Sequence, residues 1–332
     1  MNTSRQFIIF RPEISSYQDA NFRKHEMSEI KKVSLLEKSL YIDDYSKLLT
    51  EIKKNSKLEI IFISTSYTKL ELYTEILRNI ILWVHPNSGY DNLTKDFIEK
   101  SDFPIINGNS IRADAVFQYI LACFLESNGP IPFSNTWDKN RCFPRKNFYD
   151  HKSLIIGHGH IGSKLSSFFD STGISYSIYD PYLPITHIKQ VRKLSLAGYD
   201  SVILCCGLNS TTEKIINELS LATAKNDLTI INAARGALID ESALINFLGA
   251  HPKAIAYLDV YENEPNDLSQ FSKLKNIKLT SHIAGVYDGI DDQIISFECQ
   301  VIEDMLTLKK EQFDLKYKRA SLKNNIIEDK LI

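Results

Sequence analysis

The sequence predicts an α/β protein built on two open parallel sheets, and three observations point there. Its 332 residues are too many for one ordinary core and suit two domains. Apolar runs of strand length alternate with stretches of helical spacing along most of the chain. One strand-to-helix turn, Gly157-His158-Gly159-His160-Ile161-Gly162, spaces three glycines as G-x-G-x-x-G.

In the first third, the strand-like runs are Phe7–Phe10, Leu58–Ser64, Ile80–His85 and Phe103–Asn107, with a helical pattern over Lys69–Arg78. From Arg112 to Glu126, Ala113, Val116, Phe117, Ile120, Leu121 and Phe124 recur at helical spacing. The stretch Ser127–Asp150 is irregular, yet Trp137, Phe143, Phe148 and Tyr149 make it too apolar for a free linker. It reads as an arm packed on something, with a second copy of the chain as the candidate, hence an expected homodimer. Beyond Lys152 six more strands are expected: Ser153–Ile156, Ser175–Tyr179, Ser201–Cys205, Leu228–Asn232, Ile255–Val260 and Ile277–Thr280. Helical patterns fall between most of them, for example Thr212–Thr223 and Glu241–Leu248, which makes a complete open α/β domain. A mostly helical stretch, Gly289–Lys310, then leads into a charged tail from Lys316 onward.

Charge and composition exclude several classes. Thirty-nine basic and forty-one acidic side chains leave a net charge of -2 with no basic stripe, so a nucleic-acid platform is not expected. No secretory h-region opens the chain, and no apolar run approaches the ~18 residues of a membrane helix. Cys123, Cys142, Cys205, Cys206 and Cys299 are odd in number and show neither C-x-x-C spacing nor a ligand cluster with His. The expectation is a reducing cytoplasm, no disulfide scaffold and no metal site.

The glycine turn has a specific chemistry. Gly157 permits the tight turn, Gly159 lets the backbone approach a pyrophosphate, and Gly162 lets the following helix pack close to the strand. The helix N-terminus at His160 and Ile161 offers unpaired N–H groups to phosphate, and His160 would add a side-chain donor. Asp180 stands 18 residues past Gly162 at the end of the next strand, where a carboxylate bonds adenosine ribose hydroxyls. Its charge would repel a 2′-phosphate, and no Arg follows closely, so NAD is expected rather than NADP.

Three later segments end strands with reactive residues: Ile231 to Gly236, Leu258 to Pro265, and Leu279 to Gly285. Arg235, Asp259, Glu264 and His282 would gather outside the carboxyl ends of a parallel sheet, where such folds bind ligands. A cation for an anionic substrate, an imidazole for a proton and a carboxylate to hold it are the equipment for hydride transfer to a carbonyl.

At these residues the chain resembles the D-isomer-specific 2-hydroxyacid dehydrogenases, over about Ser88 to His282. Ser88-Gly89-Tyr90-Asp91-Asn92 resembles the family loop that receives the substrate carboxylate on backbone N–H groups. Asn107 to Gln118 resembles the entry to the cofactor domain, and Gly157 to Gly162 with Tyr179-Asp180-Pro181 the nucleotide fingerprint. The resemblance implies that Arg235 binds the carboxylate and keto oxygen, that His282 is the acid/base with Glu264 as partner, and that Asp259 holds the nicotinamide carboxamide. Cys206, Gly207, Ala233, Ala234 and Gly285 would also line the cofactor. It further implies a Rossmann NAD-binding domain, 108–287, inserted into a flavodoxin-like substrate domain, 1–107 plus 288–332. The implied activity is interconversion of a small 2-oxo acid and a D-2-hydroxy acid. An NAD-sensing corepressor-like protein and a formate- or phosphite-type dehydrogenase share the architecture.

The chain also departs from the family pattern. Gln118 stands for the usual Glu, Asn109 for Pro, Arg112 for a frequent Asn, and Gly207-Leu208-Asn209 for Pro-Leu-Thr, while Glu264 to His282 is short. Arg112 is the residue expected to set substrate choice. A second guanidinium beside Arg235 suits a second anionic group on the substrate.

Overall fold

The structure is a computed structural model, and it describes residues 7–16, 18–33, 39–129, 131–141, 147–183, 189–265, 267–327 and 330–331. The chain divides into two compact units, Met1–Arg112 with Tyr287–Ile332, and Ala113–Val286. The expected boundaries lay at 107/108 and 287/288. The first falls later because residues after Asn107 fold back on the first unit: Gly108 N–H donates to His85 O at 2.8 Å, and the Tyr287 hydroxyl donates to Ile111 O at 3.2 Å. The helix of the second unit starts only at Ala113.

In the first unit, β1 (Phe7–Phe10), β2 (Leu40–Ile42), β3 (Glu59–Ile63), β4 (Ile80–His85) and β5 (Ile105–Asn107) form a parallel sheet in the order β2-β1-β3-β4-β5. This is the flavodoxin-like order. Its strands read as unbroken apolar runs because both faces are covered. Ile8, Phe10, Ile60, Phe62 and Trp83 pack on one face, and Phe7, Ile9, Ile61, Leu82 and Val84 on the other, the period of two expected of a strand. Helix Ile290–Thr307 supplies Val301 and Ile302 to the second face, which brings the C-terminal part of the chain back to the first sheet.

Strand β2 and helices Ala20–Lys32, Tyr45–Lys54, Lys95–Lys100 and Lys310–Lys316 of this unit were not anticipated. Helix Ala20–Lys32 is capped by the Asp19 carboxylate and helix Tyr45–Lys54 by that of Asp44. The first hides from a periodicity search because it buries Glu26 between Phe22 and Ile30. The charged tail is corrected as well. Asn107 N–H donates to Ala320 O at 2.9 Å, Ser321 bridges to Ile106, and Leu322 is fully buried, so the segment after Lys316 packs against β5.

The second unit holds β6 (Lys152–Ile156), β7 (Ser175–Tyr179), β8 (Ser201–Leu204), β9 (Thr229–Asn232), β10 (Ile255–Leu258) and β11 (Ile277–Leu279), all parallel, in the order β11-β10-β9-β8-β6-β7. The chain moves from β6 outward to β7, then returns to pair β8 on the other side of β6. The strand order therefore reverses at β6, the place where parallel sheets bind ligands. A parallel bridge from Gln190 to Ile178 extends the β7 edge by one residue.

The helix expected over Thr212–Thr223 shrinks to Glu218–Leu221. Lys214 N–H and Ile216 N–H donate to Ala237 O and Leu238 O, and Asp240 N–H returns to Ile216 O, so the preceding residues are drawn into an extended bridge. The pattern over Lys69–Arg78 is a 3₁₀ helix, Leu70–Asn79. In the 131–141 stretch, Phe133 and Trp137 are 91% and 78% exposed on the single chain. Cys142 and Phe143 lie outside the described residues.

Candidate active site

The glycine turn joins β6 to helix His160–Thr172. Gly157 has φ +92, and a Cβ there would lie 2.6 Å from Cys206 N, so only glycine fits against the backbone that follows β8. A Cβ on Gly162 would fall 2.2 Å from Gly157 O. Gly159 differs: a Cβ would meet nothing within 4 Å, leaving open space over the helix N-terminus. At the end of β7, the Asp180 carboxylate accepts His158 N–H at 2.8 Å and Tyr182 N–H at 2.9 Å, one bond to each oxygen. Each oxygen keeps a lone pair for a ribose hydroxyl.

Beyond β9 the Asn232 side chain shapes the next turn, donating to Arg235 O at 2.8 Å and accepting Ala234 N–H at 3.1 Å. Arg235 lies directly before a short 3₁₀ turn, with its Nη1 donating to Ala234 O at 2.7 Å. Gly236 is required there, since a Cβ would fall 1.8 Å from Tyr261 C.

Beyond β10 and β11 the backbone folds around one carboxylate. Asp259 is fully buried and accepts Thr280 Oγ1 at 2.6 Å, Ile283 N–H at 2.8 Å and Ala284 N–H at 2.8 Å. Its own carbonyl accepts His282 N–H at 2.8 Å. Three successive amides thus wrap a single aspartate, and His282 is held at φ 54, a left-handed conformation uncommon for a residue with a Cβ. The Thr280 hydroxyl also contacts the Tyr119 hydroxyl at 2.7 Å, and the Tyr261 hydroxyl donates to Thr280 O at 2.6 Å.

This scaffold presents one catalytic-looking pair. His282 Nδ1 lies 2.6 Å from Glu264 Oε2, and Glu264 Oε1 accepts Tyr261 N–H at 2.9 Å. The carboxylate can only accept, so Nδ1 carries the proton and Nε2 is the atom left for chemistry. Burial alone would raise the Glu264 pKa. The bonds from His282 and Tyr261 and the charge of Arg235 outweigh it and hold the carboxyl below its usual value. The imidazole is 56% exposed, open enough to exchange a proton with a ligand.

The sequence profile described as "D-isomer specific 2-hydroxyacid dehydrogenase, NAD binding domain" matches residues 133–284. Residues 133–284 are thus similar to the NAD-binding domain of that family. Over 209 residues it is 30% identical to erythronate-4-phosphate dehydrogenase of Saccharophagus degradans, covering 60% of this chain and 52% of the relative. Over 197 residues it is 36% identical to D-3-phosphoglycerate dehydrogenase of Haemophilus influenzae, covering 55% and 48%. The chain spans about half the length of these curated relatives. The NAD-bound 3-phosphoglycerate dehydrogenase structure from Entamoeba histolytica shares the fold, with a TM-score of 0.65, 17% identity, and coverage of 93% of this chain and 98% of that one.

The turn fits the dinucleotide. Gly157, Gly159, His160, Ile161 and Gly162 frame open space at a helix N-terminus, and Asp180 faces the same turn. Cys206 and Gly207 follow β8, and Ala233 and Ala234 follow β9. Asp259 has an occupation that the family pattern did not suggest: its carboxylate organises the 280–284 loop, and Gly285 comes directly after it. Sequence reasoning missed Thr280, Tyr261 and Tyr119, whose hydroxyls look like ordinary strand-end and helix residues. Of the expected substrate residues, Ser88 and Gly89 lie in the loop after β4 and Arg112 closes the first unit, with Nη1 donating to Pro86 O at 3.3 Å. Among the described residues, no group of three His, Cys, Asp or Glu side chains could hold a metal ion, and no helix is long and apolar enough to cross a membrane.

Proposed function

We propose that the protein interconverts a 2-oxo acid and a D-2-hydroxy acid, using NAD, with His282 as the acid/base. The observation that carries this reading is the 2.6 Å contact of His282 Nδ1 with Glu264 Oε2, which leaves Nε2 to serve a substrate oxygen. Bound nicotinamide supplies or receives the hydride at the substrate C2. In reduction, His282 gives its Nε2 proton to the carbonyl oxygen as that oxygen gains charge, and Glu264 stabilises the ring in its protonated form. Arg235 binds the carboxylate and polarises the carbonyl, and the Ser88-Gly89 loop is assigned to substrate binding by the family resemblance. Asp259 sets the position of His282 through the backbone of the 282–284 loop. Asp180 favours NAD over NADP by its charge. Exposed Phe133 and Trp137 support a homodimer built through the 131–141 stretch.

The substrate class follows from Arg112. Its Nη1 bonds the Pro86 carbonyl, two residues before Ser88, so a second cation borders the carboxylate loop. Erythronate-4-phosphate and D-3-phosphoglycerate dehydrogenases are named for substrates with a phosphate besides the carboxylate. The expected substrate is a 2-oxo acid with a distal anionic group.

The test is NADH oxidation over a panel from glyoxylate and pyruvate through branched, aromatic and phosphorylated 2-oxo acids. Phosphorylated members should show the highest kcat/KM, and Arg112→Asn should reverse the preference, mainly through KM. No turnover of any member would overturn the enzyme reading in favour of NAD sensing. Pyruvate as best substrate, unaffected by Arg112→Asn, would overturn only the second-anion reading.

A further inference from the structure

We propose that His85, held by Ser64 and Trp83, is a positioning residue that sets the backbone of the Ser88-Gly89 loop to receive the substrate carboxylate. The inference rests on the dehydrogenase reading of that loop, and all of its geometry lies within the first unit.

His85 ends β4 and is completely buried. Its Nδ1 lies 2.8 Å from Ser64 Oγ, its Nε2 lies 2.6 Å from Gly89 O, and Trp83 Nε1 lies 2.7 Å from the same Ser64 Oγ. The proton directions follow from what each group is able to do. An indole N–H only donates, so Ser64 Oγ accepts from Trp83. A carbonyl only accepts, so Nε2 of His85 must carry a proton and donate it to Gly89 O. A ring enclosed away from water stays neutral, with one N–H, which leaves Nδ1 to accept the Ser64 hydroxyl proton. Every donor in the chain Trp83–Ser64–His85–Gly89 then has one acceptor.

Each end of this relay is anchored. The Trp83 ring stacks on Phe62 with centroids 3.9 Å apart, and the Ser64 carbonyl accepts Arg11 Nη1 at 2.9 Å. The carbonyl of His85 accepts Gly108 N–H at 2.8 Å, and Asn92 Nδ2 ties the far end of the loop to Thr65 O and Thr68 O at 3.1 and 2.9 Å. Between these ties, Gly89 has the greatest backbone freedom of any residue type. The imidazole removes it by fixing where the Gly89 carbonyl points. A trans peptide is planar with N–H opposite C=O, so drawing that carbonyl toward His85 aims Tyr90 N–H the other way. The loop therefore meets a carboxylate with its amides already set and loses no entropy in arranging them.

The test combines kinetics with nitrogen-15 NMR of the histidine ring. Wild type should show His85 at pH 7 as the neutral ring protonated at Nε2; a charged ring or an Nδ1–H tautomer would overturn the relay. His85→Phe and Ser64→Ala should each raise KM for the 2-oxo acid about tenfold, with kcat and NADH affinity changed less than about threefold. His85→Gln, whose amide N–H reaches toward Gly89 O, should recover most of that loss. An active wild type whose KM does not move in His85→Phe overturns this role alone. A wild type inert toward every 2-oxo acid overturns the dehydrogenase reading and this role together.

Discussion

His282 lies just beyond the carboxyl end of one parallel strand and His85 closes another, and each has a fixed partner on Nδ1, yet the two units use them in opposite ways. His282 sits on a left-handed turn, more than half exposed, with a carboxylate on one nitrogen. His85 lies in the core with a hydroxyl on one nitrogen and a carbonyl on the other. A carboxylate on one nitrogen of an open ring fixes the ring and leaves the other nitrogen for proton exchange. Neutral partners around an enclosed ring forbid the charge and turn the same side chain into a fixed strut. Burial pushes the His85 pKa down to about 4, with the charges of Arg11 and Arg112 acting in the same direction against the opposing pull of Gly89 O and Asp91.

The sharpest way to break the contrast is His282→Ala. A lost general acid costs about 10²–10⁴-fold in kcat, while NADH affinity, read by fluorescence titration, should be nearly unchanged. Retained turnover would mean that the exposed ring carries no proton.

His85 makes the next largest prediction, in stability. Its folded pKa of about 4 lies below the ordinary 6.5, so the unfolded chain takes up a proton over that interval and the native protein does not. The stability from neutral His85 is complete above pH 6.5 and is lost as pH falls to about 4. The loss amounts to about 3 kcal/mol, the proton-binding free energy spanned between pH 6.5 and about 4. Urea unfolding followed by the fluorescence of buried Trp83 should show it, and His85→Gln should flatten that pH dependence. An equally steep dependence in His85→Gln would place the titrating group elsewhere.

Glu264→Gln tests the other partner. Replacing the charged acceptor of His282 Nδ1 with a neutral amide should drop kcat for reduction about tenfold. In the wild type, Glu264 is held below its usual carboxylate value, so its support is present at neutral pH and disappears only as pH falls below about 4.5. An unchanged kcat in Glu264→Gln would reduce the 2.6 Å contact to a structural tie.

The smallest effect is expected at Asp180. Asp180→Ala should weaken NADH binding and narrow the gap to NADPH by a few-fold, because the repulsion of a 2′-phosphate disappears. Wild-type preference for NADPH would refute the assigned role.

The legibility of the two sites differs for the same reason as their histidines. Gly157 to Gly162, Asp180, Arg235, Glu264 and His282 are local signatures: each sits where a strand ends, and the spacing announces it. His85 carries no such signature, since a histidine closing Ile80–His85 reads as the last residue of an apolar strand. Its role depends on Ser64 and Gly89, which the parallel pairing of β3 with β4 and the following turn bring to it. The helix expected over Thr212–Thr223 failed similarly, because the bridge of Ile216 to Ile239 competes with local propensity and wins.

The alternation of apolar runs with helical patterns, and the glycines of one turn, settled by themselves that this is a two-sheet α/β protein with a dinucleotide-binding half. Those features are local, and backbone sterics and the period of burial read directly from neighbouring residues. Partners distant in the chain were decided only in three dimensions. Arg11 lies 3.2 Å from Glu26 and 3.7 Å from Glu298, all three fully enclosed, on elements nearly three hundred residues apart at the extremes. Burial, and then the charge of Glu26, raise the Glu298 pKa well above its ordinary value. No periodicity announces such a cluster, because an ionisable side chain is tolerated in a core only where the fold delivers its partner.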